Sequence, residues 1–286
     1  NTRAYLVEFH DTGGTGLAAF QVQAATDTGG FSGIVSTWSY AATGLTQNDY
    51  ITPWIFPQAV WNNMPEGATS YISVRAFDNV ANSTTVFDAF YVLKDTTQPG
   101  VSLSYVPPAG WVVDNPGPVS SATFTEALSG LDRIQYSASS NKLSLDGNLI
   151  PWTDIASVSG FSVFVATWSY DFTRLANGVT SYFSLKGTDR AGNENLAADA
   201  FIIKKNVSGP VVTITSPTGL FLSTITAVSG YNTETDSKPV VATELSIKDM
   251  TTNLYWDGTG FVSGSRLWLV AAGTYPYVFN MTMALV

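Results

Sequence analysis

The stretch Thr180–Val212, TSYFSLKGTDRAGNENLAADAFIIKKNVSGPVV, occurs twice in this chain. Set back 111 positions, with Thr180 on Thr69, it falls without a gap on Thr69–Val101, TSYISVRAFDNVANSTTVFDAFYVLKDTTQPGV. Tyr182 matches Tyr71, Asp189 matches Asp78 and Asn193 matches Asn82. Asp199-Ala200-Phe201 repeats Asp88-Ala89-Phe90, Lys205 repeats Lys94, and Pro210 repeats Pro99. A period near 110 residues is too long for a solenoid unit and reads as whole domains in tandem. Within the stretch, Phe183, Leu185 and Gly187 alternate with Ser184, Lys186 and Thr188, as Ile72, Val74 and Ala76 alternate with Ser73 and Arg75. That period of two predicts a strand with one side on a core. The polar run Asp189–Asn193 then predicts a turn, and Ala200–Ile203 the returning strand of a hairpin.

Working outward, Thr15–Ala24 has a partner in Ser129–Ala138, now 114 positions on. The same offset pairs Trp38 with Trp152 and Trp54 with Trp168. It falls to 111 because Pro57–Gly67 is three residues longer than Asp171–Gly178, a loop change that homologous copies tolerate. Lys94–Pro99 and Lys205–Pro210 read as polar linkers closed by proline. Three units follow: 1–97, 98–208 and 209–286. The first has no counterpart to residues 99–118, the opening strand of the second. The third stops before a counterpart of the closing hairpin, and by register its Tyr275–Tyr277 falls near Trp168–Tyr170. Its strand candidates include Leu220–Leu222, Val240–Ile247, Asn253–Trp256 and Arg266–Ala271. No segment carries a helical apolar stripe, so the chain is predicted to be all-β.

The composition agrees. Of 286 residues, 45% are hydrophobic and 12% charged, enough apolar material for several cores and too little charge for disorder. A net charge of -9 argues against a nucleic-acid backbone as partner. The absence of cysteine excludes disulfides and thiolate-bound metal. No apolar run is long enough for a direct membrane span.

Ser129-Gly130-Leu131 with Ile134-Gln135-Tyr136, then Trp152, then Trp168-Ser169-Tyr170, then Asp189-Arg190-Ala191-Gly192-Asn193 resembles the bacterial immunoglobulin-like tandem repeats of large secreted and cell-surface proteins. The first copy departs from the turn pattern, with Val80 and Ala81 in place of Ala and Gly. The resemblance implies tandem immunoglobulin-like β-sandwiches at an extracellular or cell-surface location, with the repeated hairpin as the last two strands. It also raises Tyr71 and Tyr182 as corner tyrosines, although the alternation puts them off the Ile72 and Phe183 face.

Few residues invite chemistry. His10 is the single histidine, and no nucleophile elbow, phosphate loop or paired metal-binding histidine occurs. The carboxylates Glu234 and Asp236 have no spacing that by itself makes a glycosidase site. The chain is therefore expected not to be an enzyme. Asp78, Asn82, Asp189 and Asn193 have two readings: side chains that close a turn, or Ca²⁺ ligands sharing an ion with a linker carboxylate such as Asp95. Trp38, Trp54, Trp152 and Trp168 are expected in the cores with Ile72, Val74, Phe183 and Leu185, the alternative being exposed platforms for sugar stacking. Asn82, Asn206 and Asn280 head glycosylation tripeptides.

The missing strands at the two ends have two readings as well. Either copies of the chain join head to tail by strand donation, or flanking segments of a longer polypeptide supply the strands. The expected function is a structural subunit or segment of a surface filament or layer. The alternative is an adhesin or carbohydrate-binding stalk.

Overall fold

A computed structural model describes residues 4–105, 110–115, 120–219, 222, 224–234, 240–273 and 276–284. The chain is all-β. In the first unit the strands are β1 (Phe9–His10), β2 (Leu17–Ala25), β3 (Ile34–Thr43), β4 (Asp49–Tyr50), β5 (Thr69–Asp78) and β6 (Ser83–Leu93), with one short helix, α1 (Gln58–Asn63). They form an antiparallel sheet in the order β3-β2-β5-β6, faced by the pair β1-β4. The bridge Tyr5↔Trp54 extends that pair.

The second unit repeats the plan with more strands: β7 (Gly100–Tyr105), β8 (Trp111–Val112), β9 (Ser120–Thr125), β10 (Leu131–Ser139), β11 (Ile150–Ser157), β12 (Val163–Trp168), β13 (Thr180–Asp189) and β14 (Glu194–Lys205). One sheet runs β11-β10-β13-β14-β8 and the other β12-β9-β7. Alternation puts Phe183 and Leu185 between the sheets, both fully buried beside Phe124, Leu131, Ile134 and Ile203. Phe183 stacks on Phe201 at 4.6 Å and meets Tyr170 at 4.9 Å. In the first unit Ile72 and Val74 hold the same places, buried with Phe20, Val22, Trp54 and Phe56.

Both repeated hairpins carry the same irregularity. Register slips between Ile72 and Val74, and again between Phe183 and Leu185. In each hairpin three residues stand opposite one, and Asp88 and Asp199, the middle of the three, turn the chain with φ 49°, a left-handed value unusual outside glycine. The bulged N–H of Asp88 donates to Ser73 Oγ at 3.2 Å, and that of Asp199 to Ser184 Oγ at 3.1 Å. Each Asp carboxylate also accepts a backbone N–H from the loop after the second strand of its sheet, Gly29 in one unit and Leu143 in the other. The repeated Asp-Ala-Phe triplet is thus a bulge device.

The third unit has β15 (Val211–Ser216), β16 (Thr224–Thr233), β17 (Glu244–Leu245), β18 (Tyr255–Trp256), β19 (Phe261–Ser263), β20 (Leu269–Val270) and β21 (Tyr277–Ala284). Its main sheet, β15-β16-β21, copies β7-β9-β12 in order and direction. Register corrects one expectation here. Val211 pairs Thr233 as Gly100 pairs Thr125, and Val228 pairs Phe279 as Ser120 pairs Trp168. The counterpart of Trp168 is therefore Phe279, beyond Tyr277; Tyr275 lies outside the described residues, as do Leu220, Phe221 and Asp236. Among the described residues Val228 and Trp256 are the buried members of this unit's apolar cluster.

Two of the four tryptophans expected in the cores are not there. Trp54 and Trp168 are buried, at 5% and 7% exposure. Trp38 and Trp152 are half-buried on the opposite face of their sheets. Their offset in sequence preserves a different contact, a cation over each ring. Arg75 Cζ lies 4.5 Å from the Trp38 centroid, and Lys186 Nζ lies 5.1 Å from that of Trp152. Arg75 and Lys186 are themselves repeat equivalents. Equal placement in two copies marks a shared environment, and a packed outer face satisfies that as well as a core does.

Candidate functional site: a carboxylate cluster at the first junction

The hairpin turns close as the structural reading expects. Asp78 Oδ1 accepts N–H groups from Val80 and Asn82, and Asp189 Oδ1 accepts that of Asn193 at 2.8 Å. In both turns the Asn amide donates to the second carboxylate oxygen at 2.8 Å. The two turns then differ in what they meet. Asp78 and Asn82 lie at an open end of the first unit. Asp189 is buried against the linker between the first two units.

That linker brings a second carboxylate. Asp95 Oδ1 caps Thr97 N–H at 2.9 Å, and its Oδ2 accepts Ser129 N–H of the second unit at 3.1 Å. The Asn193 amide donates to Asp95 O at 3.2 Å, and Asn195 to Pro99 O at 2.7 Å. A third carboxylate comes from Glu126, just past β9. Its Oε1 accepts Leu128 N–H at 2.8 Å. Oxygens of Asp95, Glu126 and Asp189 lie within 4.8 Å of one another.

Charge makes this arrangement costly as it stands. Two carboxylates at such a distance repel by roughly 3 kcal/mol at an effective dielectric of about 20. Among the described residues no Lys or Arg pairs with any of the three. Glu126 is 4% exposed, and its Oε2 is buried without a hydrogen-bond partner, as is Ser129 Oγ nearby in sequence. A hard divalent cation such as Ca²⁺ takes carboxylate and carbonyl oxygens and would offset both the repulsion and the orphaned acceptor. The residues present fit such an ion.

Of the four Ca²⁺ candidates named from sequence, only Asp189 sits in the cluster. Asn193 braces it through its amide, and Asp78 and Asn82 close the turn of the first unit. Asp95 was legible as a linker carboxylate. Glu126 was missed, although Asp11, Glu126 and Glu234 directly follow the strands β1, β9 and β16. Glu234 Oε1 is likewise buried without a partner.

The remaining candidates are placed as follows. His10 Nδ1 pairs with Asp49 Oδ1 at 2.7 Å on the exposed side of β1-β4. Tyr71 and Tyr182 are half-buried, off the core face. Asn82 is exposed, whereas Asn206 is buried at 3% exposure, which closes that tripeptide to a glycan. Among the described residues no helix is long and apolar enough to cross a membrane.

No family model and no curated protein matches this chain. Among solved structures, one similar chain is described as the crystal structure of a tetra-tandem repeat in the extending region of a large adhesion protein. It is 13% identical with a TM-score of 0.30, and the alignment covers 93% of this chain and 58% of that one.

Proposed function

We propose that the chain is a non-enzymatic, extracellular structural segment of a cell-surface filament or layer, built from tandem immunoglobulin-like sandwiches and clamped by a divalent cation at its first junction. The observation that carries this reading is the junction itself. The linker is tied forward into the second unit through Ser129, Asn193 and Asn195, and backward into the first through Glu66, which accepts Thr96 N–H at 3.1 Å. A linker bonded on both sides transmits force between units. His10 is engaged in a solvent-facing pair between strands, which fits a scaffold role.

Gold-labelled antibodies against the chain, applied to native cells and viewed by electron microscopy, test the reading. Label along surface filaments or a surface layer is expected. Label confined to the cell interior overturns it.

A second reading, an adhesin or carbohydrate-binding stalk, is favoured by the outer-face tryptophans. Trp38 lies beside Arg75, which donates to Gln21 Oε1 at 2.6 Å. Trp152 lies under Lys186, on the sheet where Gln135 donates to Asp154 at 2.8 Å. An aromatic ring next to polar side chains is the composition of a sugar site. Glycan-array binding that is lost in Trp38→Ala and Trp152→Ala selects this reading.

A further inference from the structure

The outer faces of the first two units carry a cation at the same place, and only one of the two is neutralised. In the second unit Lys186 Nζ lies 3.5 Å from Glu194 Oε1. Across β10 from it stands Asp154, which accepts from Gln135 at 2.8 Å and faces Arg133 Nε at 3.9 Å. Register gives the equivalents in the first unit. Gln21 pairs Tyr40 as Gln135 pairs Asp154, and Phe77 pairs Ser83 as Thr188 pairs Glu194. Tyr40 and Ser83 thus stand where the second unit has its two carboxylates, and neither brings a carboxylate.

Arg75, the counterpart of Lys186, is left as a bare cation. Among the described residues no carboxylate pairs with it, whereas the other two described basic side chains of the first unit are paired: Lys94 faces Glu66 at 3.8 Å and His10 faces Asp49 at 2.7 Å. Aromatic rings hold the guanidinium instead, with Cζ 4.5 Å from the Trp38 centroid and 5.1 Å from that of Phe77. Its Nη2 donates to Gln21 Oε1 at 2.6 Å. Arg75 Nε is buried without a partner, and so is Gln23 Oε1, two residues along the same face of β2. An unused donor and an unused acceptor therefore flank an unbalanced charge. A guanidinium fixed in this way meets a carboxylate through two parallel hydrogen bonds, a geometry that the ammonium of Lys186 lacks. Tyr40, opposite Gln21 and 57% exposed, adds an open aromatic ring beside it.

We infer that the outer face of the first unit binds a carboxylate-bearing saccharide, a uronic or sialic acid residue, and that the matching face of the second unit does not. Arg75 takes the sugar carboxylate, Gln23 accepts from a ring hydroxyl, and Tyr40 covers the apolar side of the ring. Trp38 and Phe77 position the guanidinium. The net charge of -9 works against an anion at long range, so the close contacts at this face carry the affinity. This rests on the carbohydrate-binding reading above and names its ligand class and the unit that holds it.

Isothermal titration of the full chain with oligogalacturonate and with sialyllactose, each beside its methyl ester, tests this. The parent is expected to bind at least one of the acids, and to bind its ester about tenfold or more weakly, because the ester keeps the ring and loses the charge. Two variants locate the contact. Arg75→Gln removes the cation, and Ser83→Glu gives the first unit the carboxylate that neutralises the second, at an exposed position. Each, with circular dichroism and melting like the parent, is expected to lose the preference for acid over ester. Acid and ester bound alike by the parent overturn the proposal, as does a preference that survives in both variants. Acetate that displaces the saccharide at equal concentration overturns it too, since the site would then hold any small carboxylate. Neutral glycans bound in a way that Trp38→Ala abolishes, with no gain from a carboxylate, leave the carbohydrate-binding reading standing and remove only the acidic ligand. Failure of acid, ester and neutral glycan alike removes both.

Discussion

The two linkers are repeats of each other, yet they do different work. Lys94 and Lys205 act alike: the first donates to Met64 O at 3.0 Å and the second to Leu175 O at 3.0 Å, each pinning the linker to the loop of its own unit. The next residues also begin alike. Asp95 caps Thr97 N–H, and Asn206 caps Ser208 N–H at 3.1 Å. The difference lies in what comes forward. Asp95 bonds Ser129 and joins Glu126 and Asp189, whereas Asn206 makes no hydrogen bond to the third unit among the described residues. The third unit offers no described turn in the place of Asp189. One carboxamide in place of one carboxylate separates the linker that joins a carboxylate cluster from the one that does not among the described residues.

The comparison depends first on the second unit being a firm anvil for the first linker. Phe183→Ala empties the centre of that unit and should cost about 3–5 kcal/mol. Urea unfolding followed by tryptophan fluorescence would read this as an earlier transition for the second unit, with the cation response of the first joint lost alongside it. A small loss would mean that the core relaxes around the gap.

The cation is the next largest effect. Calcium at about 100 times its dissociation constant should stabilise the first junction by about 2.7 kcal/mol. Calorimetry with calcium and with chelator should show the shift in the parent and none in Asp95→Asn, which gives the first linker the residue of the second. The reciprocal change, Asn206→Asp, should create no new calcium response, because no carboxylate cluster is found at the second linker among the described residues. An equal shift in Asp95→Asn would place the ion elsewhere.

A smaller effect separates repeat devices from junction chemistry. Ser184→Ala leaves the bulged N–H of Asp199 unbonded and should cost about 1–2 kcal/mol in the second unit, with the calcium shift unchanged. The smallest is Tyr170→Phe. The Tyr170 hydroxyl is buried without a partner, so its removal should alter stability by under about 1 kcal/mol at neutral pH. Burial pushes its ionisation up from 10.0 to about 12. Between those values the unfolded chain has lost the proton and the folded chain keeps it. Stability from this group is thus full below pH 10 and falls as pH rises toward 12. The parent should lose stability across that window in alkaline melts more steeply than Tyr170→Phe.

Much of the fold could be read in the chain alone. Alternation at Ile72, Val74, Phe183 and Leu185 named the buried face, since a strand exposes its two sides by turns and only one side can meet a core. The Asp-Ala-Phe triplets and the paired lysines were visible as identities without a cause; the cause is a bulge and a loop clamp, both of which need a partner strand to exist. Trp38 and Trp152 misled because size and apolarity describe a side chain, while the sheet face it takes follows from register. Here register set each ring against Arg75 or Lys186.

Sequence by itself determined that one β-rich unit was copied along the chain, where its hairpins turn and where its linkers run, because these depend on patterns between near neighbours. Only the tertiary structure decided that Asp95, Glu126 and Asp189 converge. Those three side chains come from a linker, a strand end and a turn spread over almost a hundred residues. Their meeting depends on how two sheets stack and how one unit seats on the next, which no local pattern encodes.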